Sequence, residues 1–333
     1  MSLIRVALVA ILVGLGSTGC RGAPPPVVPE EEAAPILLSV PDSATAVAGE
    51  MRNVDFHIDD GIVMHIKELR GALLPAARPA PPALDDKRSF TLRIHSAQID
   101  IDTASLSTLL NRHVFGYPGS PLRNLRVSTD GDQLIQTGKM KGMSFRIRAA
   151  ISLTGDGEIR LHPTAVKVLG INVRGLMGFF GVHLKGLITL SPGHGARIDE
   201  DDFILDPTGI LPPPRLQGRL SAIKVEPGRI VQTFGGADST EALRPVGRVG
   251  ANYMYFRGGT LRFGKLTMVD TDLEILDEDP SNPFDFSLDR YNDQLVAGYS
   301  KNTANHGLIV HMPDFRTLGA GAKVAQGRGT TRP

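Results

Sequence analysis

Residues 145–153 read Phe145-Arg146-Ile147-Arg148-Ala149-Ala150-Ile151-Ser152-Leu153, and their period decides the fold. Phe145, Ile147, Ala149, Ile151 and Leu153 share one face of an extended chain, while Arg146, Arg148, Ala150 and Ser152 share the other. Successive side chains alternate across a strand, so this is half-buried β-structure. The segment runs into Thr154-Gly155-Asp156-Gly157, a hairpin signal, after which Ile159 and Leu161 resume the alternation. Upstream, Phe90, Leu92 and Ile94 alternate in one phase, and Ala97, Ile99 and Ile101 in the opposite one. The change of phase near His95 and Ser96 predicts a bulge that bends the strand. Further strands are expected at 52–58, 62–68, 122–128, 133–140, 215–225 and 229–234, with Asp130-Gly131 and Pro227-Gly228 as turns.

Helical spacing occurs twice. After Asp102-Thr103, an N-cap signal, Leu106, Leu109, Leu110 and Val114 form one stripe, and Gly116 stops it. The second stretch is RGLMGFFGVHLKGLI, where Leu176, Phe179, Phe180, Leu184 and Leu187 give an apolar face despite four internal glycines. The fold class read from these periods is α+β, mainly β: a strongly curved antiparallel sheet wrapped around one or two short helices. Residues 251–275 alternate again, through Tyr253 and Tyr255, Leu261 and Phe263, then Val269, Thr271, Leu273 and Ile275. They either extend the same sheet or form a small β domain.

Composition narrows the function classes. The 36 Lys+Arg against 35 Asp+Glu leave a net charge of +1, so nothing in the overall charge favours nucleic acid as a partner. Hydrophobic residues at 41% fit a globular chain and exclude a multi-span membrane protein. The lone Cys20 excludes an intrachain disulfide and a thiolate zinc site.

The N-terminus reads as an address. Arg5 precedes an apolar run from Val6 to Leu15, the length of a secretory signal core and about half of what spans a bilayer. Ser17, Thr18 and Gly19 then lead into Cys20, which resembles a bacterial lipoprotein signal with the cysteine as the lipidated residue. An ordinary secretory signal with an incidental cysteine is the alternative. Arg21 follows in place of an aspartate, which under the lipoprotein reading points to the cell envelope, at an outer membrane facing the periplasm. Residues 20–50 are Pro-rich and aperiodic, a tether.

One family enters through Leu122-Arg123-Asn124-Leu125-Arg126-Val127, Gly138 through Ile147, Leu169-Gly170-Ile171 and Asp206-Pro207. Over residues 90–215 the chain resembles the bacterial branch of the tubular lipid-binding superfamily, the secreted phospholipid-binding proteins of the mycobacterial lipomannan-elongation type. The resemblance implies a Leu-rich helix inside a curved sheet, with acyl chains held in the groove between them. On that reading the chain comprises a signal at 1–19, the tether at 20–50, a lipid-binding-like domain at 51–235, a connector at 236–250, a β-rich extension or small domain at 251–315, and a disordered tail at 316–333. The groove-lining residues would be Leu106, Leu109, Leu110, Leu125, Phe145, Ile147, Ile151, Leu176, Phe179 and Phe180.

Motifs for bond chemistry are sparse. Gly14-Leu15-Gly16-Ser17-Thr18-Gly19 matches a dinucleotide-binding pattern but lies in the signal, and Gly259 through Lys265 approaches a P-loop but alternates like a strand. The nine histidines form no HExxH, and G-x-S-x-G is absent. The acidic run from Asp270 to Asp293 lacks the glycine and terminal glutamate of an EF-hand, and reads as solvated strand faces and turns. Lys139, Lys141, Arg146 and Arg148 cluster on one hairpin, either as its wet face or as a contact for anionic lipid heads. The leading expectation is a membrane-anchored lipoprotein that binds a phospholipid or other acyl lipid, with no cofactor, metal or enzymatic step. A structural envelope lipoprotein acting through protein contacts is the alternative, and an envelope hydrolase with dispersed carboxylates the third reading.

Overall fold

In the computed structural model the described residues are 46–77, 79–169, 171–172, 195–235, 251–304 and 307–318. The signal with Cys20, most of the tether, the second helical stretch with Leu176, Phe179 and Phe180, the connector and the tail beyond residue 318 lie outside them.

The chain is mainly β. Its first strands are β1 (Val47–Asp59), β2 (Ile62–Pro75) and β3 (Phe90–Asp102), which leads into helix α1 (Thr103–Leu109) and a π turn (Leu110–Val114). A meander follows: β4 (Leu122–Asp130), β5 (Gln133–Met140), β6 (Met143–Leu153), β7 (Ile159–Val168) and the short β8 (Ile171–Asn172). Next come β9 (Ala196–Asp199), β10 (Asp202–Leu205), β11 (Arg215–Gln217), β12 (Leu220–Glu226) and β13 (Arg229–Phe234). The last group is β14 (Tyr253–Arg257), β15 (Thr260–Phe263), β16 (Leu266–Val269), β17 (Asp272–Asp277), β18 (Phe284–Ser287), helix α2 (Tyr291–Ala297), β19 (Tyr299–Asn302) and β20 (Leu308–Met312).

The strands divide between two large sheets and a separate two-stranded one, β15-β16. The larger runs β12-β13-β3-β2-β1-β14-β17-β20-β19, with β11 beside β3 and β18 beside β1; the second runs β4-β5-β6-β7-β10-β9, with β8 on β7. β14 pairs antiparallel with β1, so after residue 251 β14, β17, β18, β19 and β20 continue the large sheet. Most pairs are antiparallel; β11–β3, β18–β1 and β17–β20 are parallel. The near P-loop segment is the hairpin β15–β16, with Phe263 opposite Leu266.

Bulges bend the large sheet where the sequence changes phase. Against β2, Ser96 pairs with Arg70 and Ile94 with Gly71, which leaves His95 over. Ile94 and Ala97 are therefore both buried although three residues apart. A Cβ on Gly71 would sit 2.2 Å from the Arg93 carbonyl oxygen, so only glycine lets β2 close on β3 there. The strand expected over 215–225 is broken in two. β11 lies parallel to the start of β3, the chain turns at Gly218 and Arg219, and β12 pairs with β13 instead.

A charged network ties the C-terminal end of the described chain to the large sheet. Asp285 on β18 is buried; one carboxylate oxygen meets His57 Nε2 on β1, and the other accepts from Arg316 Nε at 2.8 Å and from the Arg316 backbone N–H at 3.0 Å. Arg316 also reaches Asp55 at 3.1 Å, and Asp55 accepts from or shares a proton with His65 Nδ1 at 2.7 Å. Burial pushes the Asp285 carboxyl up, but the bond and charge of His57 and the bonds from Arg316 outweigh it and hold the group below the usual aspartate range. Asp314, whose carboxylate accepts the Asp285 N–H at 2.8 Å, is pushed up, chiefly by burial.

Candidate functional site: the apolar seam between the sheets

Helix α1 sits where the two sheets meet. The Asp102 side chain caps it, accepting the Ser105 N–H at 2.6 Å. β3 ends at Asp102, so the Val63 N–H of β2 has no partner strand there; Ser105 Oγ accepts it at 3.1 Å. On the other flank the helix binds the edge strand of the second sheet. Val127 N–H donates to Ser107 Oγ at 2.9 Å, Leu125 N–H donates to Asn111 Oδ1 at 2.9 Å, and Asn111 Nδ2 donates to the Leu125 carbonyl at 2.7 Å. Asn111 thus acts as a strand mimic for one residue of β4.

The geometry of β4 makes that possible. Asn124 and Leu125 together oppose Gly138, forming a bulge in which Asn124 has φ of +53°. A Cβ on Gly138 would lie 2.8 Å from a Leu125 methyl and 2.9 Å from the Arg123 carbonyl, so glycine is needed opposite the bulge. The helix itself widens at Leu110–Val114, where Phe115 N–H reaches the Leu110 carbonyl at 2.8 Å. Within the widened turn Arg112 donates to the Asp60 carbonyl at 2.6 Å, and His113 Nε2 lies 3.0 Å from Asp59.

Behind the helix lies an apolar cavity of about 70 Å³. Its walls come from Leu106, Leu109 and Leu110 of the helical segment, Ile101 and Ile230 of the large sheet, and Ala149 and Ile151 of the second sheet; two amides, Gln136 and Gln232, are the polar lining. The loop after β10 closes it. There Asp206 Oδ1 accepts from Thr208 N–H at 2.9 Å and from its hydroxyl at 2.8 Å, a turn that places Pro207, Ile210 and Leu211 against the space.

Of the residues expected to line a groove, Leu106, Leu109, Leu110 and Ile151 border this cavity. Leu125, Phe145 and Ile147 are buried in the core beside it and do not border it, and Leu176, Phe179 and Phe180 are outside the described residues. Sequence reading missed the polar side of the helix. Ser107 and Asn111 stand four apart, a spacing that puts them on one flank, but nothing local reveals that an edge strand lies opposite. The basic hairpin is partly neutralised, since Arg148 pairs with Asp130.

No protein-family model, curated protein or solved structure matches the chain. What the seam can do therefore follows from its own construction. The two sheets share no ladder pair among the described residues. Besides packing, they are joined by the three bonds of Ser107 and Asn111, by Gly228 N–H to Thr129 Oγ1 at 2.8 Å and by Arg219 to the Gly155 carbonyl. His57 and Asp285 resemble a catalytic dyad in outline, but among the described residues no hydroxyl or thiol is hydrogen-bonded to His57.

Removing the strand mimic should loosen the seam. Asn111→Ala deletes two bonds to Leu125 and is expected to cost about 1–3 kcal/mol in denaturant unfolding. Asn111→Asp keeps the acceptor for the Leu125 N–H, loses the donor, and should fall between wild type and the alanine variant. Equal midpoints for all three proteins would refute the strand-mimic role.

Proposed function

We propose that the protein is a membrane-anchored envelope lipoprotein that accepts the acyl chain of a phospholipid or related lipid between its two sheets, without bond chemistry. The observation that carries this reading is the seam: an apolar space bordered by a helix and a loop, between sheets that share no ladder pair among the described residues. The resemblance of residues 90–215 to tubular lipid-binding proteins, and the lipoprotein-like approach to Cys20, support it from the sequence side.

Magnitudes favour opening when a chain is present. At about 70 Å³ the seam is far smaller than the roughly 300–1,000 Å³ of pockets that enclose small ligands, so binding requires the sheets to separate. Releasing the five hydrogen bonds that join them among the described residues costs on the order of 5 kcal/mol. Burying about ten methylenes contributes about 8 kcal/mol, and the chain replaces the packing lost across the seam. Aliphatic walls discriminate little among chain lengths.

The small present volume also suits a packed structural core, which is the competing reading. Native mass spectrometry of the full chain purified from a bacterial envelope separates the two. The lipid reading expects a co-purifying acyl lipid at near one per chain; the structural reading expects a bare protein.

A further inference from the structure

We infer that the end of the second sheet opposite the Thr154–Glu158 turn is a docking surface for an anionic phospholipid bilayer. Register brings cations together there from four strands. Arg126, Thr137, Arg146 and Lys167 lie in one row across β4, β5, β6 and β7, and Arg123 and Lys139 in the next, with Lys141 in the turn beyond. All six cationic side chains, Arg123, Arg126, Lys139, Lys141, Arg146 and Lys167, are exposed, and none is in an ion pair among the described residues. Lys139 donates to the Ser144 hydroxyl at 2.8 Å. The acids of this meander gather at its other end, where Asp130 pairs with Arg148 and Glu158 with Arg197. The acidic turn after β9 stands beside the middle of β7, with Asp202 on Arg160 and His162.

Two apolar side chains project among these cations. Met143 is 41% exposed and Leu169 66% exposed, and the Leu169 N–H donates to the Ser144 carbonyl at 2.9 Å, which sets the two close together. Leu169 holds φ of +51°, and Lys141 φ of +47°, in a region that non-glycine residues avoid. A strained leucine held in water gains nothing from the fold itself. An open hollow of about 490 Å³ at this end of the sheet, lined by Arg123, Asn124, Lys139 and Lys141, offers room for a phosphate headgroup. Cations ringing apolar tips match a bilayer interface, where the tips enter the headgroup layer and each basic residue meets anionic lipid. The surface is separate from the seam, so docking stands whether or not the seam holds a chain.

The test uses the full chain and vesicles of phosphatidylcholine with and without phosphatidylglycerol. The N-terminal segment is present in every variant, so the ratio of anionic to neutral partitioning isolates the charged surface. Lys139→Gln, Lys141→Gln and Arg146→Gln together should lower that ratio on the order of a hundredfold, from about fivefold per cation. The matched triple Arg93→Gln, Arg215→Gln and Lys224→Gln, on the large sheet, should leave it near wild type. The chain has no tryptophan, so Leu169→Trp supplies a single reporter. Its emission should shift to the blue on anionic vesicles, while Val296→Trp, at a side chain 85% exposed on α2, should not respond. An unchanged ratio in the first triple, an equal fall in the matched triple, or an emission from vesicle-bound Leu169→Trp protein that stays water-like would each overturn the assignment.

Discussion

Leu109→Ala is expected to destabilise the lipid-free protein by about 3–5 kcal/mol, the upper range for a truncated core leucine. Leu109 is fully buried, and it stands where both sheets, the helix and the cavity meet. Truncation enlarges an existing space that the surrounding strands, held in their ladders, cannot fully collapse to fill. The urea midpoint of the variant measures this. A loss under about 1 kcal/mol would show that the helix is not anchored through this residue. The same position shows how a lining residue can be core as well as wall: a polar change here would unfold the site before it reported on a ligand.

Asp285→Asn carries the second large effect, about 2–4 kcal/mol at neutral pH, discounted from the value for a fully enclosed ion pair because Arg316 is largely exposed. Its pH dependence follows from the direction of the shift. The folded-state pKa of Asp285 is depressed, so the carboxylate contributes its full stability above the unfolded-state value of about 3.9 and loses it as pH falls through the lower folded-state value. The stability difference between wild type and Asp285→Asn should therefore be constant near neutrality and shrink below about pH 4. Asp314, shifted upward, acts in the opposite sense, gaining relative stability on protonation, and taking the difference between the two proteins removes most of its contribution. A gap that widens on acidification would contradict the network as described.

The strands were readable because one face of each is buried. In β6, Phe145, Ile147 and Ala149 are buried and Arg146 and Arg148 exposed, and the phase change in β3 announced the bulge at His95. The helix was readable from Asp102 and its leucines, down to the capping bond. Division into two sheets was not readable, because alternation reports burial of a face and not which sheet lies across from it. The break at Gly218 was hidden for the same reason: Leu216 and Leu220 keep a common phase across it and are both buried. The π turn leaves no composition signal, and the partnership of Asn111 with Leu125 depends on a bulge fourteen residues away. For the seam, sequence supplied the leucines of the helix and Ile151, while the closing loop at Pro207, Ile210 and Leu211 needed the tertiary path.

The central claim is that the seam is a site for an acyl chain, and Ala149→Leu tests it most directly. Ala149 borders the cavity, and a leucine there fills space without introducing a polar group. If the cavity is simply unfilled core, filling it stabilises the protein by up to about 1.7 kcal/mol, the cost of a void of this volume. Lipid occupancy of wild type and Ala149→Leu, purified in parallel from the same envelope and weighed intact by native mass spectrometry, is the measurement. The account predicts a bound acyl lipid on the wild type and a clear fall in the variant with its thermal midpoint equal or higher. Wild-type protein free of lipid, or a variant that retains its lipid at undiminished occupancy, would contradict it.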